Sequence, residues 1–371
     1  MTQEPKNSLN VELTGLIETP GAANRVTDQT GERKIEDPET AALLDRLLEK
    51  VGGKPGLFET RLVRDLLNTS LKLIPDGRGT GELKLITTAV KEMRYAYRVF
   101  ARYAEPHKVT IFGSARTPES HPDFTACVEF SKLMAEKSWM SITGAGDGIM
   151  KAGHVGPGRA GSFGVAIRLP FETTANQVIA GDEKLIHFRY FFTRKLMFIS
   201  QAEAVALFPG GFGTMDEAYE TLTLVQTGKA SPMPIVCVEG TNGGYWDAWD
   251  KWVKDQLVTR GWISKEDLRL YYVAKDPQDA ANHIMKFYTN YHSSRYVKDD
   301  LVIRLKKPLT PEQVETLNTE YKVLVKEGKM AMRGPYEAEG NEAPGLPRLA
   351  FTHTKSKFGL VRQLIDRINE M

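Results

Sequence analysis

The chain has 371 residues, of which 41% are hydrophobic and 26% are charged, and its formal net charge is +2. This length allows two or three domains with a large buried core, while so small a net charge does not favour nucleic acid or an acidic membrane surface as the main partner. No run approaches the ~18 apolar residues that cross a bilayer, and MTQEPKNSLNVELTG lacks the basic-then-apolar pattern of a secretory signal, so we expect a cytoplasmic protein with no membrane and no nucleic-acid partner.

The first predicted elements in chain order are helices. Residues 1–38 are polar and lack periodicity, and we expect an irregular arm there. Residues 39–106 are predicted to form a helical region, because apolar residues recur with helical spacing in ETAALLDRLLEKVG, FETRLVRDLLNTSLKLI and TGELKLITTAVKEMRYAYRVFARYAE. Neither segment contains a motif that indicates a chemical function.

Between residues 107 and 292, short apolar runs alternate with helical patterns. The predicted strands are, in order, KVTIFGSA, WMSITGAGDG, SFGVAIRLP, AEAVALFPGG, MPIVCVEG and LRLYYVAKD. Each is followed by a predicted helix, the last of which is PQDAANHIMKFYTNYH. The runs are apolar throughout, as in strands that are covered on both faces. The strict alternation favours the α/β class, with a doubly wound, parallel, Rossmann-like sheet.

Residues 297–371 predict a small α+β unit. KDDLVIRLKKPL and LPRLAFTHT are predicted strands, and FGLVRQLIDRINEM is a predicted helix. TPEQVETLNTEYKVLVKEG is a further predicted helix, with Thr310 as its N-cap and Pro311 at its first position. Basic residues are dispersed over this segment, which is typical of the solvated surface of an accessory domain.

Three of the predicted strands end in glycine-rich loops that each precede a predicted helix. In a doubly wound sheet, ligands bind at the carboxyl ends of the strands. Glycine lets the backbone approach a ligand closely, and a helix N-terminus offers free N–H groups to an anion. We therefore predict a nucleotide or sugar-phosphate site at this edge of the sheet. Its predicted residues are Gly113, Ser114 and Arg116, then Gly144 and Gly146, then Gly210, Gly211, Phe212, Gly213 and Thr214.

Two other glycine patterns are weighed against this site. GPGRAG, residues 156–161, fits G-x-G-x-x-G but follows a predicted helix and precedes a predicted strand. This order is the reverse of a dinucleotide fingerprint, so a dehydrogenase is a weak alternative. PGGFGTMDE lacks the lysine of a P-loop, which disfavours a kinase or another nucleoside triphosphatase.

Charged residues lie next to the last glycine loop. Asp216 and Glu217 fall in the first turn of the predicted helix, where the helix dipole favours a carboxylate. We interpret Asp216 as a helix-capping residue, while for Glu217 both capping and catalysis remain open. Arg194 and Lys195 lie just before the preceding strand, and arginine is a natural bidentate partner for phosphate. The aromatic residues beside this pair are expected to pack into the core, with a stacking wall for a base as the alternative: Phe191, Phe192 and Phe198.

The cysteine content argues against a metal site or a disulfide framework. Cys127 and Cys237 lie far apart, and neither belongs to a metal-binding spacing. Both lie in apolar segments, so we expect buried free thiols of a reducing compartment. We expect neither a metal nor another cofactor.

The motifs FGSAR, TGAGDGIM, LPFE, FFTRKLMF and PGGFGTMDE together resemble the LOG family. This family comprises cytokinin riboside 5′-monophosphate phosphoribohydrolases and related bacterial nucleotide nucleosidases, some of which were labelled lysine decarboxylases. Residues 209–217 match its PGGxGTxxE motif in full, and residues 194–198 match its upstream RKxxM/F motif. The resemblance covers about residues 107–290 and says nothing about either flank.

The resemblance implies hydrolysis of the N-glycosidic bond of a nucleoside 5′-monophosphate to free base and ribose 5-phosphate. Arg194 and Glu217 match the family's catalytic pair, and Lys195, Thr223 and residues 211–217 match nucleotide-binding positions. Glu217 suits this chemistry, because a carboxylate can stabilise an oxocarbenium-like ribose or activate water. Arg194 would hold either the phosphate or the departing base. Family members also imply a homodimer or higher homo-oligomer with the site near the interface.

The sequence departs from the family pattern in two loops. GAGDG stands where relatives have GGGPG, and its Asp147 adds a negative charge near the phosphates. Asn176 stands where short plant-type members carry a glutamate, which resembles the long bacterial type and makes Asn176 a candidate substrate-binding residue. The departure at Asn176 favours AMP-like purine nucleotides over cytokinin-type substrates. A non-catalytic nucleotide-binding or carrier protein of the same fold is the alternative.

Overall fold

The structure is a computed structural model that describes residues 38–168 and 175–371. Most of the predicted amino-terminal arm, residues 1–37, lies outside the described residues. The LPFE motif, residues 169–172, also lies outside them. The described residues fall into two compact units, residues 38–91 and residues 92–371.

The first unit is helical, as the sequence predicts. Leu44 and Leu48, one turn apart, are the buried residues of its first helix, which agrees with the leucine spacing of that segment. Its third helix continues past residue 91 into the second unit. The helices are α1 (Pro38–Lys50), α2 (Phe58–Lys72) and α3 (Thr80–Phe100).

A seven-stranded parallel sheet forms the centre of the second unit, which confirms the predicted doubly wound fold. Its strand order is β4-β3-β2-β1-β5-β6-β7, and every neighbouring pair is parallel. The strands are β1 (Lys108–Phe112), β2 (Met140–Thr143), β3 (Ser162–Ile167), β4 (Leu185–Phe188), β5 (Ala204–Leu207), β6 (Ile235–Cys237) and β7 (Tyr272–Val273). The helices between and after them are α4 (Pro122–Glu136), α5 (Ile149–Val155), α6 (Phe191–Ser200), α7 (Phe212–Gln226), α8 (Tyr245–Trp252) and α9 (Pro277–Phe287).

The sheet is covered on both faces, so its central strands β1, β2, β5 and β6 are buried along their whole length. Ile111 and Phe112 are neighbours on β1, yet they belong to two different hydrophobic clusters. Successive side chains of a strand point to opposite faces, so each face of β1 contributes to its own core. Cys127 and Cys237 are buried and free, as the sequence predicts.

Strand β4 was not predicted from the sequence. It is the edge strand next to β3, and its residues vary between buried and exposed, with His187 exposed. It therefore lacks the apolar run that marks the central strands. The last predicted strand is also shorter than expected, because residues Glu266–Arg269 form a 3-10 turn and only Tyr272–Val273 pair with β6.

The carboxyl-terminal part of the second unit is an α+β arrangement around an antiparallel sheet of order β10-β11-β9-β8. Thr310 is the N-cap of α10 and Pro311 is its first residue, as predicted, and Thr310 also forms a capping box with Gln313. Two predicted helices extend too far towards their carboxyl ends. The last residues of PQDAANHIMKFYTNYH belong to strand β8, and the last residues of TPEQVETLNTEYKVLVKEG belong to strand β10. The elements are β8 (Tyr291–Val297), β9 (Asp300–Leu305), α10 (Pro311–Glu320), β10 (Val325–Arg333), β11 (Arg348–His353) and α11 (Phe358–Asn369).

The strand order reverses direction between β1 and β5, and this point positions the candidate site. Chain connections run outward from β1 through β2, β3 and β4 on one side, and from β5 through β6 and β7 on the other. The loops after β1 and β5 therefore separate and leave a crevice at the carboxyl edge. None of the described helices is long and apolar enough to span a membrane.

Candidate functional site

A cleft of about 820 Å³ lies at the carboxyl ends of the strands around this crevice. Its size is within the usual range for a small-molecule site. Eleven of the predicted site residues line it: Gly113, Ser114, Arg116, Gly144, Gly146, Arg194, Gly211, Phe212, Gly213, Thr214 and Glu217. The structure thus brings all three predicted glycine loops to one cavity.

Backbone hydrogen bonds join the three loops to one another. The Ser114 amide donates to the carbonyl of Pro209 at 3.1 Å, and the Ser114 carbonyl accepts from the Ile149 amide at 3.0 Å. Gly148 has φ +60, and a Cβ added there would lie 2.3 Å from the Ser114 oxygen. Glycine at 148 is therefore required both by its left-handed backbone and by the close approach of the β1 loop.

The loop after β5 leads directly into the N-terminus of α7. Gly211 is the N-cap and carries no side chain that could cap the helix, so the first N–H groups of α7 remain available to an anion. A Cβ at Gly210 would lie 2.1 Å from Oγ1 of Thr214. The hydroxyl of Tyr245 donates to the Gly210 carbonyl at 2.7 Å. The glycine loop is thus held tightly against the helix that it begins.

Glu217 is a buried carboxyl on the cleft-lining face of α7. It lies three residues after Thr214, on the same side of the helix, and is 4% exposed. Its Oε2 atom is buried without a hydrogen-bond partner among the described residues. Burial raises the pKa of Glu217 to about 7, against the opposing effect of the Lys195 and Arg194 cations. Such a carboxyl can bind or release a proton near neutral pH.

Arg194 lies beside Glu217. Its Nη2 atom is 3.8 Å from Oε1 of Glu217. Its guanidinium carbon lies 4.9 Å from the centre of the Phe191 ring and 5.4 Å from that of Phe198. These aromatic residues precede and follow Arg194 by three and four positions, so the helical repeat places them on its side of α6. Cation–π contacts with both rings hold the guanidinium in place.

The N-terminus of α6 is fixed by a carboxylate from α3. Glu92 accepts hydrogen bonds from the Arg189 amide at 2.6 Å and from Oγ1 of Thr193 at 2.7 Å. A carboxylate is well suited to this end of a helix. The contact orients the first turn of α6, from which Arg194 extends into the cleft.

Four predicted substrate-binding residues lie outside the lining of the cleft: Asn176, Lys195, Gly210 and Thr223. Lys195 forms ion pairs of 2.7 Å with both Asp216 and Glu220, and so ties α6 to α7. Thr223 is exposed on α7. The interpretation of Asp216 as a capping residue is wrong, because α7 has no side-chain cap and the Asp216 carboxylate pairs with Lys195 instead.

The cleft residues that the sequence analysis did not predict include Met150, Arg168 and His187. Arg168 directly follows β3, so its position at the same sheet edge could have indicated it. His187 lies on the strand that was not predicted. Partial burial of the ring, with a smaller contribution from the Arg168 charge, lowers the pKa of His187. Asp147 is exposed and does not line the cleft.

The aromatic residues of α6 divide between the two interpretations. Phe198 is buried in the core, as expected for packing. Phe191 is half exposed and lines the cleft, where it can stack on a planar group. Phe192 is half exposed and stacks on Tyr190.

The cleft is electropositive around its single described acid. Arg116, Arg168 and Arg194 line it together with Glu217, which is the one described carboxyl in the lining. No cluster of potential metal ligands occurs in residues 38–168 or 175–371. The arrangement can bind an anionic ligand at the α7 N-terminus and bring a carboxyl close to it.

Residues 145–284 match a family model described as possible lysine decarboxylase. No curated protein matches the chain. Similar solved structures include that of TM1055, with 19% identity over 48% of this chain and 99% of that chain and a TM-score of 0.35. The molybdenum cofactor carrier protein of Chlamydomonas reinhardtii is 19% identical over 49% of this chain and 98% of its own, with a TM-score of 0.34. The molybdenum cofactor binding protein of Rippkaea orientalis is 20% identical over 48% of this chain and 95% of its own, with a TM-score of 0.32. Likeness at this level says nothing about ligand or activity.

Proposed function

This chain belongs, through residues 145–284, to the LOG-like family, and we propose that it hydrolyses the N-glycosidic bond of nucleoside 5′-monophosphates. AMP-like purine nucleotides are the proposed substrates, and free base and ribose 5-phosphate are the products. The observation that carries the proposal is Glu217, a buried cleft carboxyl with a pKa of about 7 that lies 3.8 Å from Arg194.

The proposed reaction assigns Glu217 to the ribose. The bond between C1′ and the base nitrogen breaks, its electron pair leaves with the base, and positive charge develops on the ribose. Ionised Glu217 stabilises this charge and accepts a proton from the water that adds to C1′, as carboxylates do in glycoside hydrolysis. The departing base nitrogen then takes up a proton, and the proton held by Glu217 is released, so that the products are the neutral base and ribose 5-phosphate and the carboxylate is restored. A base works best when its pKa lies near the working pH, and a pKa of about 7 meets this condition.

The proposed phosphate position is the N-terminus of α7. Gly211, Gly213 and Thr214 line the cleft there, and the helix dipole and free N–H groups favour an anion. Arg116 lies at the neighbouring loop and adds a positive charge. In this arrangement the phosphate binds one helical turn before Glu217, which leaves the sugar opposite the carboxyl.

Arg194 is proposed to act at the reacting centre. Its positive charge lowers the pKa of Glu217 and so opposes the effect of burial. The two aromatic contacts fix its guanidinium next to the carboxyl. A fixed cation of this kind also stabilises negative charge on a leaving base without having to reorganise.

Two other enzyme classes fit the cleft less well. A pyridoxal-phosphate decarboxylase needs a lysine for its Schiff base, and the described lining residues include no lysine. Lys195 is engaged by Asp216 and Glu220. For a dehydrogenase, GPGRAG would have to follow a strand, but it connects α5 to the amino end of β3, away from the cleft edge.

A substrate panel tests the proposal. The purified protein is incubated with AMP, GMP, CMP, UMP and N6-isopentenyl AMP, and free base and ribose 5-phosphate are measured by chromatography. We expect release from AMP and little from the pyrimidine nucleotides. Binding of AMP, measured by calorimetry, without release of base from any nucleotide would replace the hydrolase proposal with the carrier alternative.

The homo-oligomer stays a prediction, and sedimentation velocity tests it.

A further inference from the structure

We propose that Asn176 is a positioning residue that holds the glycine loop after β2, residues 144–148, in the shape of the cleft wall. This role rests on the proposed function for its effects on AMP binding and turnover, and it is independent of that function for its effect on the free loop. Asn176 is 6% exposed and does not line the cleft. Its side chain therefore acts on the loop rather than on the ligand.

The Asn176 amide group forms a bridge to two successive loop carbonyls. Its Nδ2 atom donates to the oxygens of Ala145 and Gly146, each at 3.0 Å. Its Oδ1 atom accepts from the Val178 amide at 3.2 Å. The opposite orientation of the side chain would place Oδ1 against two carbonyl oxygens, so only this orientation satisfies all partners.

The loop conformation needs this support. Ala145 has φ +66, a left-handed conformation that an alanine rarely adopts. Its amide donates to Oγ1 of Thr143 at 3.1 Å, and its carbonyl accepts both the backbone amide of Asn176 at 2.8 Å and the side-chain amide. Strained residues persist where surrounding contacts over-determine them, and Asn176 supplies two of the three contacts here.

The buried side chain of His154 contacts the same hydrogen-bond network. Nε2 of His154 lies 2.9 Å from both Oγ1 of Thr143 and the Phe163 carbonyl, and its Nδ1 lies 3.2 Å from Nδ2 of Asn176. The Phe163 carbonyl can only accept, so Nε2 carries the proton and Nδ1 is unprotonated. The two hydrogens of the Asn176 Nδ2 group are used by the Ala145 and Gly146 carbonyls, and the His154 ring lies next to this amide, with Nδ1 close to both Nδ2 and Oδ1.

The loop so held forms the cleft wall next to the candidate catalytic pair. Gly144 and Gly146 line the cavity. A Cβ at Gly144 would lie 4.0 Å from Nη1 of Arg194, so the backbone passes close to the guanidinium. The same loop continues to Ile149, whose amide binds the Ser114 carbonyl. A loop that relaxes will therefore disturb both the Arg194 surroundings and the joint between the loops.

The test replaces the donor with an acceptor and uses a matched control. Asn176→Asp keeps the size of the side chain but sets an oxygen against the Ala145 and Gly146 carbonyls. Asn318 is the control: its Nδ2 also donates to two carbonyls, those of Val314 and Met330, at 3.0 Å each, but in the carboxyl-terminal sheet region. Asn318→Asp introduces the same chemical defect away from the cleft.

Three readouts are taken: hydrogen exchange of residues 144–149 without ligand, the Kd for AMP on a Glu217→Gln background, and kcat and KM for AMP. We expect Asn176→Asp to speed exchange of this loop and to raise both Kd and KM about tenfold, as for the loss of buried hydrogen bonds, with a smaller change in kcat. Asn318→Asp should leave loop exchange, Kd, KM and kcat within about twofold and lower only the melting temperature, because its hydrogen bonds lie in the carboxyl-terminal sheet region and not at the cleft.

The outcomes separate the two proposals. Unchanged loop exchange in a folded Asn176→Asp protein overturns the positioning role, whatever happens to KM, because a direct ligand contact would leave the free loop as it is. Faster loop exchange with an unchanged Kd also overturns it, since the loop would then not shape the wall. If the wild type binds AMP but releases no base, the hydrolase proposal fails while the exchange and Kd comparisons still decide the role of Asn176.

Discussion

Nη2 of Arg194 lies 3.8 Å from Oε1 of Glu217, within ion-pair distance but too far for a hydrogen bond. The other carboxyl oxygen, Oε2 of Glu217, is buried and has no hydrogen-bond partner among the described residues. A buried carboxyl that lacks hydrogen-bond partners destabilises the folded protein, and a bound substrate that donates a hydrogen bond to it can remove this destabilisation. The predictions below follow from that relationship and from the loops that surround it.

Replacing Arg194 with lysine is expected to lower kcat/KM for AMP by about a hundredfold, the scale of losing one fixed transition-state contact. Lysine keeps the charge but not the planar group that lies between Phe191 and Phe198. Steady-state kinetics measures the effect. Arg367→Lys, at an exposed ion pair with Glu320, is the control and should be silent. Near-normal kcat/KM in Arg194→Lys would show that only the charge matters.

The pH dependence of kcat/KM is expected to follow ionisation of Glu217. Because its pKa is about 7 and the ionised form acts as the base, kcat/KM should rise with pH up to about 7 and then level off. The second ionisation of a phosphate also lies near 6, so a variant must separate the two groups. Arg194→Gln removes a cation that lowers the pKa of Glu217, and the rising limb should move to higher pH. If the rising part of the profile stays at the same pH in Arg194→Gln, it reports ionisation of the nucleotide phosphate and not of Glu217.

Glu217→Gln is expected to stabilise the protein at high pH. The folded-state pKa of about 7 lies above the ordinary glutamate value of 4.5, so between these two pH values the folded protein holds a proton that the unfolded chain has released. The stability that this proton provides is full below pH 4.5 and is lost as the pH rises through 7, by up to ~3 kcal/mol. Urea unfolding at pH 5 and pH 8 should therefore show Glu217→Gln more stable than wild type at pH 8 and similar at pH 5.

The control for that comparison is Glu327→Gln, which alters an exposed carboxylate on β10. It should leave the difference between the two pH values as in the wild type. If Glu217→Gln is less stable than wild type at pH 8, the ionised Glu217 carboxylate stabilises the fold. That result would contradict the expectation that a buried carboxylate with an unsatisfied oxygen destabilises it.

Gly148→Ala is expected to destabilise the protein more than Gly158→Ala. Both glycines have positive φ, +60 and +65, so alanine is strained at both by about 1 kcal/mol. Only at Gly148 would the new Cβ meet other atoms, with the Ser114 oxygen at 2.3 Å, whereas nothing lies within 4 Å at Gly158. Denaturant unfolding and AMP binding check this, and equal losses for the two variants would remove the close approach as the reason for glycine at 148.

The central sheet could be predicted because its strands are buried on both faces and read as apolar runs. Strands β4, β8 and β10 could not, since each has exposed residues and none is an uninterrupted apolar run. The predicted cleft residues came from contiguous motifs at strand ends. His187 lies on one of the unpredicted strands, so no local pattern indicated it.

The side-chain partners of the charged residues were also beyond the sequence. Lys195 directly follows Arg194, yet it pairs with Asp216 and Glu220 while Arg194 lines the cleft. Which of two adjacent cations reaches the ligand depends on the rotation of α6 against α7. That rotation is set by packing in three dimensions.

The most direct test is a comparison of wild type and Glu217→Gln with AMP as the only nucleotide. Adenine and ribose 5-phosphate are quantified over time, and AMP binding is measured for both proteins by calorimetry. We predict equimolar release of both products by the wild type and a rate about a thousandfold lower in Glu217→Gln, with AMP still bound. Release by Glu217→Gln at the wild-type rate would contradict the account, because the buried carboxyl would then take no part in breaking the bond.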